Sequence, residues 1–441
     1  MSGKYMMILL SALLCSHVRA DDLASIFRDA LVRNAKYLAA EAQYNSVRER
    51  VPESLASLLP SVGVSANSVW NNDNLNTLGR ERYDSNGWSV TLTQPLWRPE
   101  NILALDEARA EVVQARAQLD EARQDLLVHT AEAYFDVLFA QDALRTIQDE
   151  RAADLQQLEQ ARRSFEVGSA PITDVRDAEA RYALVVAQEL SASDEVASKR
   201  QVLRQIIDRE PGELAPLRPG AVLTGPIPES LRPWETAAQT DNSGVIAAQA
   251  ALDAARLEAR KSRAERLPTV DLVASHGFTK SPLNIEVGQT SYADSVGIQV
   301  SMPIYAGGGT SAKIHENLDL MEKAHAELDD AQSSSVLAAQ QAFLGATSGI
   351  ALVRALENAV AAGQTAVESN VRGIQVGARI RVDVLNAEKD LADTQRDLAK
   401  ARYETLLSLL RLKAAAGSLS GTDVEEINAL LVKPAQGTSP N

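Results

Sequence analysis

Four stretches of the chain alternate apolar and polar residues with the period of two that half-buried strands require. They cover residues 61–71, 87–97, 269–278 and 295–305. The second stretch carries Trp88, Val90 and Leu92 at alternate positions, with serine and threonine between them. The pattern predicts two pairs of strands, and the polar segments 72–86 and 279–295 are predicted to be the loops within the pairs.

Each predicted strand pair is followed by long stretches with helical periodicity. Helices are predicted at 100–167 and 172–208 after the first pair, and at 311–376 and 381–416 after the second. At a rise of 1.5 Å per residue, the longer helix of each set would extend about 100 Å. The side chains from Ala108 to Ile147, with His129 in the series, recur in steps of three and four, which predicts a coiled-coil seam. Looser packing is expected in the second long helix because it contains four glycines: Gly345, Gly349, Gly363 and Gly373.

Shorter helices are predicted ahead of the strands, at 22–58 and 243–266, and the whole order of elements occurs twice. The sequence 59–62 (LPSV) recurs at 267–270 (LPTV), 93–97 (TQPLW) at 301–305 (SMPIY), and 167–168 (VG) at 376–377. All three offsets are close to 208 residues, which indicates two tandem structural repeats. The predicted organisation is a segment 1–20, a first repeat 21–211, a connector 212–242, a second repeat 243–416 and a C-terminal segment 417–441.

Glycine and proline mark the predicted turns between these elements. Six residues are predicted to form turns or hinges: Gly168, Gly377, Pro95, Pro303, Gly307 and Gly308. The run 306–313 has the glycines of a phosphate-binding loop but lacks its adjacent Gly-Lys-Ser/Thr, so a hinge between strand and helix is favoured there.

Composition restricts the class of protein further. Residues 1–20 combine Lys4, an apolar run and Val18-Arg19-Ala20, which predicts an export signal cleaved before Asp21. The one cysteine, Cys15, lies inside that signal. After it we find no apolar run near the about 20 residues of a membrane helix, so any membrane crossing is expected to use strands. The net charge of −15 disfavours a nucleic-acid partner.

Four strands cannot close a membrane sheet by themselves, because each open edge would leave unpaired backbone groups in lipid. We therefore expect other copies of the chain to complete the sheet. Two, three or four copies would all give the even number of strands that membrane barrels of this kind have.

The LPSV, TQPLW and MPIYAGG segments and the two VG…DV turns together resemble the TolC family, over nearly the whole processed chain. The resemblance implies a fold that is mainly α with some β. Three chains would form a 12-stranded transmembrane β-barrel that continues into a long antiparallel coiled-coil tunnel. It also implies an outer-membrane exit duct for type I secretion or multidrug efflux, with a periplasmic adaptor and an inner-membrane ABC or proton-driven transporter as partners. We expect no enzymatic activity, cofactor or metal.

The resemblance also implies residues for the periplasmic entrance. Thr173, Asp174 and Arg379 match a latch between the two helical turns, since an Arg–carboxylate pair is directional yet breakable when partly hydrated. Asp383 matches one of two acids that line the family's entrance, whereas Asn386 replaces the second. With Arg381 nearby, the entrance is expected to attract cations less strongly than a six-acid ring would.

Two alternatives belong to other classes. A periplasmic adaptor would carry one coiled-coil hairpin between split β domains, whereas this chain predicts two hairpins, each preceded by strands. A filamentous coiled-coil protein would have no use for the signal or for the duplicated strands. For both latch and entrance residues the simpler interpretation is that they are solvated turn or helix-capping residues. The sequence does not identify the cargo.

Overall fold

The computed structural model describes residues 21–75, 79–280, 290–376 and 378–432. The predicted export signal and Gly377 lie outside the described residues. In chain order the elements are α1 (Leu23–Arg33), α2 (Ala35–Arg48), α3 (Arg50–Ala56), β1 (Ser61–Leu75), β2 (Gly79–Trp97), α4 (Pro99–Glu166), α5 (Ile172–Ile207), α6 (Leu231–Thr240), α7 (Ser243–Ala264), β3 (Thr269–Lys280), β4 (Thr290–Ser301), α8 (Gly309–Gln375), α9 (Arg381–Ala415) and α10 (Gly421–Asn428). The described residues are therefore mainly helical, with four strands.

The described residues form two compact units, and each unit takes part of both repeats. The sheet unit comprises Ala39–Ala122 and Thr236–Leu337, and the helical unit comprises the described parts of Met1–Leu38, Arg123–Glu235 and Ala338–Asn441. The long helices α4 and α8 each contribute residues to both units.

The sheet unit is built around one antiparallel sheet with the order β1-β2-β3-β4. Its register places apolar side chains opposite one another on one face, as in Val64 opposite Val90 and Ala274 opposite Val296. The other face carries serine, threonine and glycine, and hydroxyl pairs such as Ser275–Ser295 (2.7 Å) bridge neighbouring strands. Within the described residues β1 and β4 each pair along one side only. The sheet therefore has one apolar face, one polar face and two open edges.

A polar pair interrupts the apolar face. His276 Nδ1 is hydrogen-bonded to Asp294 Oδ1 across β3 and β4, and the Trp88 ring stands edge-on at 5.4 Å from the imidazole. Pairing of the two polar groups with each other reduces the cost of exposing either one on an apolar surface.

The strands are longer than predicted at their hairpin ends. The predicted bounds of the loops at 72–86 and 279–295 were wrong, since β1 continues to Leu75, β2 begins at Gly79, β3 continues to Lys280 and β4 begins at Thr290. Residues 76–78 and 281–289 lie outside the described residues. Polar residues such as Asn71 and Tyr83 pair directly across the two strands, so the backbone is satisfied although no apolar alternation marks these positions. At its other end β4 stops at Ser301, short of the predicted 305, because Pro303 has no N–H to give to a ladder.

The predicted helix at 22–58 is three helices. The first break falls at Asn34, whose backbone is extended (φ −68°, ψ 115°). Its side chain accepts from Tyr37 N (3.1 Å) and donates to Ile206 O (3.2 Å), so the break is held by the hydrogen bonds of one amide.

The core of the helical unit lies where α1, α4, α5, α9 and α10 meet. Its fully buried members include Ile26, Tyr134, Leu203 and Leu406. The Tyr134 hydroxyl donates to Ala215 O at 2.7 Å, which fastens the connector after α5 to the middle of α4. The connector and the C-terminal segment also contain the short helices α6 and α10, which the proline-rich sequence did not predict.

The glycines of α8 do not loosen the packing, contrary to expectation. A Cβ atom on Gly345 would lie 2.9 Å from Ser408 Oγ, and one on Gly363 would lie 3.2 Å from Leu391 Cδ1. A Cβ on Gly349 would overlap Thr405 Oγ1. At these three glycines α9 therefore lies so close to α8 that the lack of a side chain is needed.

The expectation about membrane helices also needs correction. Over Gly309–Ile374, α8 is long and apolar enough to cross a membrane by length and composition. Residues 331–353 carry no charged side chain. Glutamine, serine and threonine interrupt the apolar residues there, so the segment does not form a continuous apolar run. Length and composition do not distinguish a membrane helix from a packed one, and the close contacts of Gly345 and Gly349 with α9 show packing.

Candidate functional site

The first helical turn connects α4 to α5. Gly168 adopts φ +74°, a left-handed conformation that a side chain would disfavour. Asp174 lies in the first turn of α5, and the Thr173 hydroxyl is 3.5 Å from its carboxylate. Both side chains are exposed.

The second helical turn connects α8 to α9. Arg379 Nη1 lies 3.7 Å from Asp383 Oδ2, four residues along the chain. The same carboxylate oxygen accepts from Ile380 N at 3.4 Å, as an acid in the first turn of a helix commonly does. Asn370 Nδ2 donates to Asp383 O at 3.3 Å and so ties α8 to the start of α9. Asp383 therefore both caps α9 and holds Arg379.

Asp174 and Arg379, the two predicted latch partners, do not form an ion pair within the part of the chain that the structure describes. Arg379 has Asp383 as its carboxylate partner instead. The sequence could not reveal this choice, because Asp174 and Asp383, on different turns, are both carboxylates of suitable charge for Arg379.

Gly373 is a residue whose importance sequence reasoning missed. A Cβ at this position would lie 2.6 Å from Arg379 Cγ and 3.1 Å from Arg379 Cβ. The stem of Arg379 therefore lies directly on α8, where only glycine leaves room for it. The sequence feature that could have identified it is a glycine in a predicted helix, within one helical turn of the point where the chain reverses direction.

A groove of ≈ 660 Å³ lies between α8 and α9 next to this turn. Its charged and amide lining is supplied by Asn370, Arg379, Asp383, Asn386 and Asp390. Asn386 is exposed, and Arg381 is the first residue of α9. Of the predicted entrance residues, the groove thus brings together Arg379, Asp383 and Asn386.

Three carboxyl groups on α4 and α9 have raised pKa values. Burial raises the pKa of Glu150, Asp154 and Glu388 above the ordinary values, and repulsion by Asp154 adds to the rise for the other two. Ionisation of these carboxyl groups at neutral pH therefore destabilises the contact between α4 and α9.

The strand ends show how the sheet is fastened to the long helices. The register between β2 and β3 shifts at Pro95/Trp97, and two residues later α4 begins at Pro99. On the other side of the sheet Gly307 (φ +60°) and Gly308 (φ +85°) make the left-handed bend that leads into α8. Pro303 lies between β4 and this bend.

Arg98 fastens the first of these two junctions. Its Nε and Nη2 donate to the two carboxylate oxygens of Asp271 on β3 at 2.8 and 2.7 Å. Among the described residues no group of three or more His, Cys, Asp or Glu side chains has metal-binding geometry.

A sheet with an apolar face, a polar face and open edges, whose strands lead within a few residues into paired long helices, is the architecture of a membrane-channel subunit. The outer membrane efflux protein family matches residues 26–208 and 236–418, one copy on each repeat. The chain belongs to this family and is an outer-membrane channel.

Individual relatives agree. Over 420 residues the chain is 32% identical to the outer membrane protein TolC of Vibrio cholerae, with 94% of this chain and 95% of that protein covered. It is 30% identical over 412 residues to the alkaline protease secretion protein AprF of Pseudomonas aeruginosa, covering 91% and 86%. The crystal structure of the outer membrane protein VceC from Vibrio cholerae is similar in fold, with a TM-score of 0.75, 19% identity, and 90% and 96% covered.

Proposed function

We propose that three copies of the chain form a passive exit duct through the outer membrane. The observation that carries the proposal is the sheet, with its two open edges and its apolar and polar faces. Edge-to-edge pairing of β1 with β4 of the next copy would satisfy the backbone groups of both edges. The apolar face would then meet lipid and the polar face would line an aqueous lumen.

The number three rests on family membership, since edge satisfaction alone allows other even-stranded closures. Pairing of β1 with β4 of the next copy is a head-to-tail contact between two different edges, and a closed ring of such contacts has cyclic symmetry. The duct has no enzymatic role in this proposal, and cargo is moved by partners: a periplasmic adaptor and an inner-membrane transporter. Similarity to both TolC and AprF supports this tripartite assignment. It leaves type I secretion and multidrug efflux as the two candidate pathways.

The entrance is gated, in our proposal, by a change of partner at Arg379. In the described arrangement Arg379 is paired with Asp383, and Asp174 is exposed and free to receive it. Transfer of the guanidinium from Asp383 to Asp174 would join the two turns and restrain a closed entrance. Arg379 and Asp174 are exposed and Asp383 is half-buried, so either pair would stay partly hydrated and weak, which suits a contact that must break on engagement by partners.

Conductance in planar bilayers tests the duct and its gate together. The purified protein is expected to give uniform cation-conducting channels, and Arg379→Ser is expected to raise their conductance. Arg372→Ser, which removes another exposed arginine close to the turn, is the matched control and should leave conductance unchanged. Absence of channels in the unaltered protein would contradict the duct, and unchanged conductance of Arg379→Ser alone would contradict only the gate.

A further inference from the structure

The helical unit contains a partly open pocket that the entrance and the sheet do not use. It has a volume of ≈ 320 Å³ and lies between α4, α5 and α9. This is the size at which small organic ligands begin to be accommodated, since ligand sites span about 300–1,000 Å³. Its apolar surface comes mainly from Phe135, Phe139, Ala143, Ala192, Tyr403 and Leu407.

Two contacts hold the aromatic floor of the pocket in place. The rings of Phe135 and Tyr403 are stacked, with centroids 5.6 Å apart and an interplanar angle of 23°. Tyr403 is fixed further by its hydroxyl, which donates to Asp142 Oδ2 at 2.8 Å. A floor that needs no rearrangement lowers the entropic cost of placing a flat ligand against it.

The rim of the pocket carries more negative than positive charge. Four carboxylates and two ammonium groups line it: Glu132, Asp136, Glu195 and Glu404, with Lys199 and Lys400. Lys199 is held by Asp136 at 2.8 Å, and Glu132 is paired with Arg411 at 3.2 Å. Hydrogen bonding to Asp136 raises the pKa of Lys199, so the ammonium stays charged and neutralises that carboxylate.

Two rim carboxylates remain available to a ligand. The ion pairs of Glu195 with Lys199 and of Glu404 with Lys400 are both 3.8 Å long, and both carboxylate side chains are largely exposed. At such distances the oxygens can accept a closer cationic donor without first breaking a tight hydrogen bond.

The pocket lies on the side of α4 that faces away from the connector. Asp136 and Ala143 are two and nine residues from Tyr134, which at 3.6 residues per turn places them about 160–180° around the helix. Tyr134 contacts the connector through Ala215.

We propose that this pocket binds amphipathic organic cations: an apolar ring system packs against the apolar lining that includes Phe139 and Leu407, while its positive charge is received by Glu195 and Glu404. Burial of the apolar ring and attraction of the charge to the carboxylates favour the same ligand. The access of cargo to the pocket rests on the proposed duct, but binding itself does not. The pocket would then be a weak wall site that favours cationic over anionic cargo.

Titration of the purified, detergent-solubilised full chain with ethidium, followed by fluorescence, tests the proposal. Saturable binding of ethidium is expected. In competition for the same site, the anionic dye 8-anilinonaphthalene-1-sulfonate should bind at least fivefold more weakly than ethidium. Ala192→Phe, which fills the pocket, should weaken ethidium binding about tenfold or more. Glu195→Gln with Glu404→Gln, which keeps the side-chain volume, should weaken it about three- to fivefold.

Glu159→Gln removes an exposed carboxylate of α4 outside the pocket and is the matched control, expected to bind as the unaltered protein does. Equal ethidium affinity in the unaltered, filled and double-glutamine proteins would overturn the proposal, as would equal displacement by the anionic dye. Bilayer conductance of the same variants separates the proposed cation binding from the proposed duct. Channels that persist without specific ethidium binding would contradict cation binding in the pocket and leave the duct proposal unaffected.

Discussion

Arg98, the last residue before α4, holds the carboxylate of Asp271 on β3 with two parallel hydrogen bonds of 2.8 and 2.7 Å. The Asp271 side chain is only 8% exposed, whereas that of Arg98 is 33% exposed. Because the pair joins the start of a long helix to the second repeat's first strand, it fixes the sheet to the helix beside the Pro95/Trp97 irregularity.

Arg98→Ala is expected to lower the free energy of unfolding by about 3 kcal/mol, because it leaves a buried carboxylate without its partner. Arg98→Lys should recover part of the loss, since an ammonium keeps the charge but not the two parallel bonds. The measurement is denaturant unfolding of the detergent-solubilised protein. Addition of Asp271→Asn to Arg98→Ala should restore stability, and a double variant as unstable as the sum of the two single ones would contradict the pairing.

The contact between α8 and α9 should be sensitive to a single methyl group. Gly349→Ala is expected to destabilise the protein by about 1–3 kcal/mol, the usual cost of overpacking, because the new Cβ would overlap the buried Thr405 side chain. Thr405→Ala in the same chain should relieve the overlap. Gly421→Ala, at a glycine with open space around it, is the control for helix propensity alone.

Gly373→Ala is expected to displace Arg379 from α8 and so to separate it from Asp383. If the guanidinium exchanges between Asp383 and Asp174, this change should favour the latched entrance and reduce single-channel conductance. Gly363→Ala, which meets Leu391 instead of Arg379, should leave conductance unchanged. Higher conductance in Gly373→Ala would show that Asp383 and not Asp174 provides the restraint.

The number of acidic residues at the entrance can be tested by measuring how strongly divalent or trivalent cations block the channel. Asn386→Asp would place a second acid three residues from Asp383 on the same helix face. In a trimer this adds three negative charges, so block by hexamminecobalt is expected to strengthen about tenfold or more. Asn386→Gln keeps the amide, and this variant channel should be blocked by hexamminecobalt to the same extent as the unaltered channel. Equal block in all three proteins would contradict the assignment of Asn386 to the entrance.

The raised pKa values of Glu150, Asp154 and Glu388 predict a pH dependence with a definite sign. Protonation of a carboxyl group whose pKa is higher in the folded state favours folding, so these groups oppose stability at neutral pH and cease to do so as the pH falls through their folded pKa. Glu150→Gln should therefore stabilise the protein at pH 7, by no more than about 0.5 kcal/mol after solvent screening. The gain should disappear at a pH low enough to protonate Glu150.

The sequence predicted the strands where one face is apolar, as at Val90 and Leu92, because alternation reports burial. It did not predict the continuation of β1 through Asn72, where both faces are polar and only the backbone pairing defines the strand. The helix α4 was predictable since no proline or glycine interrupts its periodicity between Pro99 and Gly168. Short helices such as α10 escaped detection because a helix of two turns has too few positions to show a period.

The candidate site was predictable in its residue types but not in its pairing. Arg379 and Asp383 could be chosen as charged residues beside a reversal, yet their contact depends on the backbone path between Gly373 and Ile380. Gly373 itself was interpreted as a source of looseness because its lack of a side chain says nothing about which neighbour uses the space.

The central claim is that separate copies of the chain complete one another's sheets in the outer membrane. Native mass spectrometry of the protein extracted from outer membranes tests it most directly, with and without heating in detergent. A species of three times the mass of the processed chain that dissociates to single chains on heating is predicted. A monomer in the unheated outer-membrane fraction, or recovery of the protein only from the soluble periplasm, would contradict the account.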